Sequence, residues 1–220
     1  NMLMLTKQQT RRALMVLVSL HILIICASNY LVQLPFQIIG FHTTWGAFSF
    51  PFVYLATDLT VRIFGQTAAR QIILKAMFPA LLISYVVSVI FQQGDFQGLA
   101  ALSELNNFVF RIAFASFAAY LLGQLMDITV FSKLRQMRAW WIAPAASTII
   151  GNLVDTVIFF GLAFYASTDS FMAAHWPEIA SVDYGFKLIV SLGLFLPAYD
   201  VFLKVLEQKR IQQPAQQGLA

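Results

Sequence analysis

The chain has 220 residues, of which 59% are hydrophobic and only 11% are charged. Soluble domains carry about 25% charged residues, so this composition excludes an ordinary soluble domain and indicates an integral membrane protein. The net charge of +4 does not indicate nucleic-acid binding, because the basic residues are concentrated between apolar segments. The single cysteine, Cys26, leaves no partner for an intramolecular disulfide.

Six apolar segments follow one another along the chain, each close to the roughly 20 residues that an α-helix needs to cross a bilayer. We predict membrane-spanning helices at Ala13–Leu34, Trp45–Phe64, Gln71–Phe91, Phe108–Leu125, Trp141–Tyr165 and Ile179–Leu203. The predicted fold class is an all-α integral membrane protein, built as a bundle of six transmembrane helices. The transmembrane domain occupies residues 13–207, between an N-terminal segment (1–12) and a polar C-terminal tail (208–220).

Among the connections along the series of spans, lysine and arginine residues occur only in every second one. They precede the first span, separate the second from the third and the fourth from the fifth, and follow the sixth. The other three loops, Pro35–Thr44, Gln92–Asn107 and Ala166–Glu178, contain neither residue type. Because positively charged loops stay in the cytoplasm, both termini are predicted to be cytoplasmic. We also expect a short surface helix in the loop Gln92–Asn107.

The second predicted span carries charge at membrane depth. A charged side chain near the centre of a membrane helix costs about 2.5–3.5 kcal/mol on insertion scales. The segment Phe48–Gly65 nevertheless contains Asp58 and Arg62, and Tyr54 shares their helical stripe because the spacing is four residues. Pro51 predicts a kink one turn before Tyr54. We interpret this helix as one wall of a polar cavity, although Arg62 also lies close enough to the inner surface to extend to the headgroups.

Four further charged residues lie at membrane depth in the other predicted spans: Arg111, Asp155, Asp183 and Lys187. Together with the acid and base of the second span, three acids and three bases sum to zero, as expected for charges that face the interior of a bundle. Arg111 and Asp183 both lie in the outer half and are predicted to pair. Lys187 is one turn below Asp183 and is predicted to reach Asp155. These pairs have a purely structural interpretation as well as a functional one.

Uncharged polar and aromatic side chains accompany these charges. Asn152 and Asp155 share a stripe of the fifth span, and Asn29 lies near the outer end of the first. Such polar residues most often make hydrogen bonds between helices. Beside aromatic residues such as Phe48 and Tyr54, they also suit a planar heterocycle with adjacent N–H donors. The same acids are alternatively suited to bind protons or sodium, and the sequence leaves both roles open.

Other chemistries have little support in the sequence. The three histidines, His21, His42 and His175, are far apart along the chain, so we predict no metal site. No glycine-rich phosphate loop occurs, and no Cys–His or Ser–His pair lies at membrane depth. We therefore expect neither an enzyme nor a cofactor-dependent protein, and no nucleic-acid partner.

Five runs between Ser28 and Tyr199 are distinctive: SNYLVQ, FHTTWGAFSFPFVYLATDLTVRIFG, GQLMDITVF, WWIAPAASTIIGNLVDTVIFF and FKLIVSLGLFLPAY. Their order and spacing closely resemble those of the bacterial queuosine precursor transporter family, which is grouped with the vitamin uptake transporters. The resemblance implies a multi-pass inner-membrane importer of 7-deazaguanine bases, the 7-cyano or 7-aminomethyl form, for queuosine synthesis in tRNA. It also implies a fold akin to the substrate-binding subunits of energy-coupling-factor importers.

The resemblance also suggests positions for the binding residues. The family's acid in the second helix corresponds to Asp58, its Asn-x-x-Asp pattern to Asn152 and Asp155, and its late basic residue to Lys187. Our hypothesis is that Asp155 and Asn152 hold the N–H edge of the base. Phe48 or Tyr54 would stack on its face, and Asn29 would join the binding site. Asp58 would hydrogen-bond a second edge of the base, or would be the group that gains and loses a proton during transport. Lys187 would tune the charge of Asp155 when the site is empty.

Two other functions stay open. A substrate-binding subunit of an ATP-driven vitamin importer would need a cytoplasmic docking surface, and small residues such as those between Ala113 and Ala119 are candidates for one. A membrane scaffold protein would bind no ligand and would tolerate replacement of Asp58 and Asp155. The energy source, the choice between the two bases and the formation of a homo-oligomer are also left open.

Overall fold

The computed structural model describes residues 5–126 and 142–195, together with positions 133, 197, 201 and 204. The side chains of Tyr54, Asp58 and Arg62 lie outside the described part, as does the predicted tail 208–220. The described helices are α1 (Lys7–Leu31), α2 (Phe50–Phe64), α3 (Gln66–Ile90), α4 (Asn107–Met126), α5 (Ile142–Ala146), α6 (Asn152–Phe164) and α7 (Ser170–Val190). Two strands, β1 (Pro35–Ile38) and β2 (Phe41–Thr44), separate α1 from α2.

In the described part of the chain, helical segments lie where spans were predicted, but α1, α3 and α7 begin five or more residues earlier than predicted. At the start of α1, the Thr6 side chain accepts a hydrogen bond from the Gln9 amide, and the Gln9 side chain accepts one from the Thr6 amide. At the start of α7, the Asp169 carboxylate accepts from the Met172 amide. These caps satisfy amide groups that helix ends leave unpaired, so each helix extends beyond its apolar run. The predicted outer loop Ala166–Glu178 therefore contains the first turns of α7.

The predicted loop Pro35–Thr44 forms an antiparallel hairpin, so the all-α prediction is incomplete. Pro35 pairs with Thr44 and Ile38 pairs with Phe41. The two residues of the turn, Ile39 and Gly40, have φ values of 51° and 79°. Positive φ at both central positions is the combination that a type I′ turn requires, and this turn matches the twist of the flanking strands.

Proline and glycine shape α2 in a way that differs from the prediction. Pro51 lies in the first turn of α2, where a missing amide proton costs nothing, so it starts the helix rather than kinking it. Gly65 alone separates α2 from α3 and has φ 83° and ψ 165°. This backbone region is accessible essentially only to glycine.

Short irregular turns complete the chain. A 3₁₀ turn, Trp45–Ser49, leads from β2 into α2, and two more, Gln92–Gly94 and Leu99–Ser103, lie in the predicted surface loop. The expected short helix in that loop is therefore present in 3₁₀ form. Two π-helical turns, Ser147–Gly151 and Ser191–Phe195, precede α6 and follow α7.

The helices pack in pairs around small residues. α1 packs along α3, and α4 packs along α6. Ala115 of α4 and Ala163 of α6 are completely buried, which lets the helix backbones approach closely. Around this contact lies an apolar core that includes Ile112, Phe160 and Phe164.

The distribution of polarity is that of a membrane protein. Large apolar side chains are exposed on the outer faces of the helices, among them Met15, Leu23, Phe78, Leu82, Phe114 and Ile189. Many polar side chains are buried inside, among them Asn29, Gln33, Thr60, Ser84, Thr156 and Asp183. In the described residues, two helical stretches are long and apolar enough to cross a bilayer, Lys7–Leu31 and Gln66–Gly94, and shorter apolar helices lie at Asn107–Gly123 and Ile149–Phe164.

Candidate functional site

A cavity of about 370 Å³ lies between α1, α2, α3, α4, α6 and α7. Pockets that bind small molecules have volumes of about 300–1,000 Å³ and combine apolar walls with a few polar groups. The lining has this character. Its polar members are His21, Ser28, Asn29, Ser49, Thr57, Ser116, Tyr120, Asp155, Asp183 and Lys187.

Three charged residues form a cluster on the α6–α7 side of the cavity. The Lys187 ammonium lies 2.9 Å from a carboxylate oxygen of Asp183 and 3.5 Å from one of Asp155. It also donates to the Thr156 hydroxyl at 3.2 Å. Asp183 and Lys187 are nearly covered, whereas 44% of the Asp155 side chain is exposed. Asp155 is therefore the more accessible of the two acids for a ligand in the cavity.

Local backbone features position this cluster. Asp183 and Lys187 are one turn apart on α7, so their side chains meet on one face. A π-helical turn immediately precedes α6 and another immediately follows α7. The Tyr184 hydroxyl donates to the Ile149 carbonyl at 2.9 Å, within the first π turn. Such turns interrupt the regular hydrogen-bond ladder and frequently occur at functional sites.

An amide on α1, that of Asn29, also belongs to the cavity lining. The Asn29 Oδ1 atom accepts a hydrogen bond from the Ser116 hydroxyl at 2.8 Å. Its Nδ2 group has no hydrogen-bond partner among the described residues, although Asn29 is only 2% exposed. A buried donor without a partner costs about 1–3 kcal/mol. A ligand that accepts a hydrogen bond from Asn29 would recover this free energy.

Hydroxyl groups and an imidazole extend the polar wall. The hydroxyls of Ser28 and Ser49 are hydrogen-bonded to each other at 3.0 Å. The Thr60 hydroxyl donates to the Ala56 carbonyl at 2.7 Å and lies 2.9 Å from His21 Nε2. Because the Thr60 proton is already used, His21 is the donor in this contact and carries its proton on Nε2. Its Nδ1 atom is then an acceptor.

Aromatic rings close another part of the cavity. Phe159 and Phe160 both line it, with their ring centroids 5.1 Å apart and their planes nearly perpendicular. Phe160 also packs against Phe164, with the centroids 5.9 Å apart. The cavity therefore combines a carboxylate, an unpaired amide donor and aromatic rings, which is a set suited to a flat, hydrogen-bonding heterocycle.

Comparison with known proteins identifies the family. Residues 44–201 match the family described as "Putative vitamin uptake transporter", which is more than half of the chain. The chain belongs to this vitamin uptake transporter family. The predicted resemblance is thereby confirmed. The protein is a membrane transporter rather than an enzyme, so it handles a small molecule within a lipid bilayer.

Individual members of the family are similar over most of their length. The chain is 59% identical over 201 residues to the "Queuosine precursor transporter" of Escherichia coli (strain K12), covering 91% of both chains. It is 53% identical over 214 residues to the "Probable queuosine precursor transporter" of Haemophilus influenzae, covering 92% of this chain and 91% of that one. A Bacillus subtilis protein of the latter name is 26% identical over 175 residues, or 76% of this chain and 75% of its own. No solved structure matches the chain.

The structure brings four of the predicted site residues together. Asn29, Asp155, Asp183 and Lys187 all line the cavity. The predicted contact of Lys187 with Asp155 is confirmed at 3.5 Å. The predicted pair of Arg111 and Asp183 is wrong, because Asp183 pairs with Lys187 on its own helix.

Three predicted residues lie elsewhere. Arg111 donates to the carbonyls of Leu162 and Tyr165 at the end of α6, where a cation also interacts favourably with the helix dipole. Phe48 is exposed and packs with other rings outside the cavity, those of Phe36, Trp45 and Phe186. Asn152 is half-buried and is not among the residues that line the cavity. The predicted roles of Tyr54, Asp58 and Arg62 concern side chains outside the described part.

Sequence reasoning missed several cavity residues. His21 was discounted as one of three scattered histidines, and Ser49, Thr57 and Ser116 were not singled out. Single hydroxyl residues in apolar helices carry little sequence signal, because they commonly bond to their own helix or to a neighbour. The aromatic rings that line the cavity are those of Phe159 and Phe160 rather than that of Phe48.

A second cluster lies outside the cavity, where the hairpin meets α7. Ligand atoms of His42, His175 and Glu178 all lie within 4.8 Å of one another. The prediction of no metal site rested on the distance between these histidines along the chain. The fold brings two of them into contact, with their ring centroids 4.5 Å apart.

Proposed function

We propose that the chain imports queuosine precursors across the bacterial inner membrane, as its relatives are named to do. The substrates are 7-deazaguanine bases, the 7-cyano form, the 7-aminomethyl form or both. The observation that carries this proposal is the cavity of about 370 Å³ whose lining includes both the exposed Asp155 carboxylate and Asn29, whose amide donor is unpaired. Identity of 59% over 91% of both chains to a protein of that name supports the same substrate class.

The chemistry of the base matches this set of groups. A deazaguanine presents N1–H and the 2-amino group side by side, and the two oxygens of one carboxylate can accept both hydrogen bonds. Its O6 atom is an acceptor, which suits the Asn29 Nδ2 donor. Its flat ring suits the faces and edges of Phe159 and Phe160. Asp155 would thus accept hydrogen bonds from N1–H and the 2-amino group, and Asn29 would donate one to O6.

The charge cluster suits binding and release of a neutral base. Lys187 lies closer to Asp183, at 2.9 Å, than to Asp155, at 3.5 Å. When a base takes over as the partner of Asp155, Lys187 keeps the carboxylate of Asp183 and the hydroxyl of Thr156. Neither ion is then left buried without a partner, which keeps the cost of exchanging partners low. In the empty site, Lys187 holds Asp155 in place.

The membrane arrangement is part of the proposal. Six helices, within residues 13–207, would span the inner membrane with the segments 1–12 and 208–220 in the cytoplasm. The fold would resemble the substrate-binding subunits of energy-coupling-factor importers. Asp58 and Tyr54 on α2, and Asn152 on α6, would contribute to the site when the substrate is bound. Transport by this site requires only one copy of the chain, whether or not copies associate.

The chain would act without an ATP-hydrolysing partner. The alternative, a binding subunit of an ATP-driven importer, predicted a docking surface of small residues on the fourth helix. Ala115 is instead completely buried in the apolar core, and Ala119 is buried and lines the cavity, so neither side chain lies on an outer docking surface. This burial favours a carrier that works alone.

The test is uptake of labelled 7-cyano-7-deazaguanine in a bacterial host that lacks its own precursor transporter and energy-coupling-factor importers. We expect the chain to restore uptake, and Asp155→Asn to lower the initial rate at least tenfold. Hydrogen bonds to charged groups contribute about 1.5–3 kcal/mol, and 1.4 kcal/mol corresponds to a factor of ten. Asp95→Asn, the same change at an exposed acid outside the cavity, is the matched control.

Two results would contradict the proposal. The first is a host that expresses the chain in its membrane and takes up no base. The second is an Asp155→Asn protein, present at the level of the control, whose uptake equals that of Asp95→Asn.

A further inference from the structure

We propose that His42, His175 and Glu178 form a site for a divalent transition-metal ion of the zinc class. The three residues come from two elements, β2 and α7, and all three are partly exposed. Two imidazoles and a carboxylate are a ligand set that zinc and neighbouring first-row metals use in proteins. The site lies outside the substrate cavity, so this proposal stands independently of the transported molecule.

The hydrogen bonds around His175 prepare it as a ligand. Its Nδ1 atom lies 2.9 Å from the Phe171 carbonyl, which can only accept, so Nδ1 carries the proton and donates. The other ring nitrogen, Nε2, is left with a free electron pair. Metal-binding histidines typically donate their second N–H to a carbonyl or carboxylate in this manner, which fixes the tautomer and the ring orientation. Phe171 also stacks on the His175 ring, with the centroids 4.3 Å apart.

The fold holds the Glu178 side chain next to His42. The backbone amide of His42 donates to Glu178 Oε1 at 3.0 Å, which fixes this carboxylate beside the hairpin. The His42 ring meets the His175 ring edge to face at 4.5 Å. An amide proton occupies one side of one carboxylate oxygen, so the carboxylate keeps electron pairs for an ion.

The distances suit closure around an ion. Nitrogen ligands lie about 2.0–2.1 Å from zinc, so two ligands of one tetrahedral ion are about 3.3 Å apart. The ligand atoms of the cluster lie within 4.8 Å of one another, and partly exposed side chains can close the remaining gap by rotation about their χ angles. Three protein ligands leave a fourth position for water.

A bound ion would join the hairpin to α7. β2 leads directly into the turn Trp45–Ser49, which contributes Gly46 and Ser49 to the cavity lining, and α7 carries Asp183 and Lys187. The metal would therefore link two walls of the cavity at one end. We expect the metal-bound protein to unfold at a higher temperature than the metal-free protein, because the ion binds only the folded arrangement of ligands.

The test is calorimetric titration of Zn²⁺ into the purified full chain, prepared without a histidine tag and stripped of metal with a chelator. We expect one ion per chain and a higher unfolding temperature when zinc is present. His42→Ala, His175→Ala and Glu178→Gln should each weaken zinc binding at least tenfold. Glu178→Gln is the most conservative of these, because the glutamine oxygen can still accept from the His42 amide. Glu104→Gln, at an exposed acid outside the cluster, is the control and should bind as the unaltered chain does.

Three outcomes would overturn the proposal. One is the absence of saturable zinc binding by the unaltered chain, which would make the cluster a packing contact only. Another is zinc binding by Glu178→Gln and the histidine variants with the affinity of the Glu104→Gln control. The third is equal affinity for Mg²⁺, since that ion prefers oxygen ligands and would not use two imidazoles.

Discussion

Lys187 is the residue on which the electrostatics of the cavity depend. It contacts Asp183 at 2.9 Å, Asp155 at 3.5 Å and the Thr156 hydroxyl at 3.2 Å. Asp183 is 5% exposed, so its carboxylate is largely removed from water and is paired with the Lys187 ammonium instead. Removing one partner of a buried ion pair leaves an uncompensated charge, which costs more than the pair itself contributes.

We predict that Lys187→Met destabilises the protein by about 3–5 kcal/mol, the usual cost of breaking a buried pair. The free energy of unfolding is measured by denaturant titration of the purified protein in mild detergent. The double variant Lys187→Met with Asp183→Asn should recover most of this loss, because it removes the buried charge along with its partner. If the loss came only from packing of the lysine stem, the double variant would be as unstable as Lys187→Met. Equal stability of these two variants would therefore contradict the electrostatic explanation.

At the residue scale, the charged part of the site is largely predictable from the sequence. An acid or base inside an apolar helix is costly, so Asp155, Asp183 and Lys187 are conspicuous among the apolar residues that flank them. The pairing of Asp183 was predicted incorrectly because Arg111 is at a similar depth, and depth alone does not say which face of a helix a side chain occupies. The contact of Asn29 with Ser116 depends on how two distant helices meet, which no local pattern encodes.

At the scale of elements, the helices were predictable and the irregular pieces were not. The helical segments were predicted from apolar runs that are longer than a helix in a soluble core requires. The first residues of α1 and α7 were not predicted, because they are set by the caps at Thr6 and Asp169. The hairpin was missed because its turn has isoleucine at a position with φ 51°. A β-branched residue rarely adopts positive φ, so pairing of the strands overrides local preference there. The π turns likewise have no signature in apolar periodicity.

The break between α2 and α3 depends on one glycine, which leads to a stability prediction. We expect Gly65→Ala to lower the free energy of unfolding by about 1–3 kcal/mol, because a Cβ is strained in this backbone region. Nothing lies within 4 Å of the added Cβ, so the loss would come from the backbone alone. The measurement is the same denaturant titration.

Gly161→Ala is the matched control for this substitution. Gly161 lies within α6 and its added Cβ also meets nothing within 4 Å, so alanine should raise stability by about 0.5–1 kcal/mol. A Gly65→Ala protein as stable as Gly161→Ala would show that the break between the two helices does not depend on glycine.

At the scale of the whole molecule, charge placement predicts the orientation in the membrane. Loops that carry lysine and arginine stay in the cytoplasm, so Lys133 should face inward and Gln97, in a loop without basic residues, should face outward. In a Cys26→Ala background, we expect a membrane-impermeant maleimide to label Gln97→Cys in intact spheroplasts. Lys133→Cys should react only after permeabilisation.

Both positions are exposed, so labelling in detergent is the control for their reactivity and should be equal. Labelling of Lys133→Cys in intact spheroplasts would reverse the proposed orientation. Labelling of Gln97→Cys only after permeabilisation would do the same.

The central claim is that the Asp155 carboxylate reads the N–H edge of a deazaguanine inside the cavity. The most direct measurement is calorimetric titration of two ligands, 7-cyano-7-deazaguanine and its analogue without the 2-amino group, into the unaltered chain and into Asp155→Asn. We predict that loss of the amino group weakens binding at least tenfold in the unaltered chain, since it removes a hydrogen bond to a charged group. The two ligands should bind Asp155→Asn with nearly equal affinity. The claim is contradicted if the variant discriminates between them as strongly as the unaltered chain does, or if the unaltered chain binds neither.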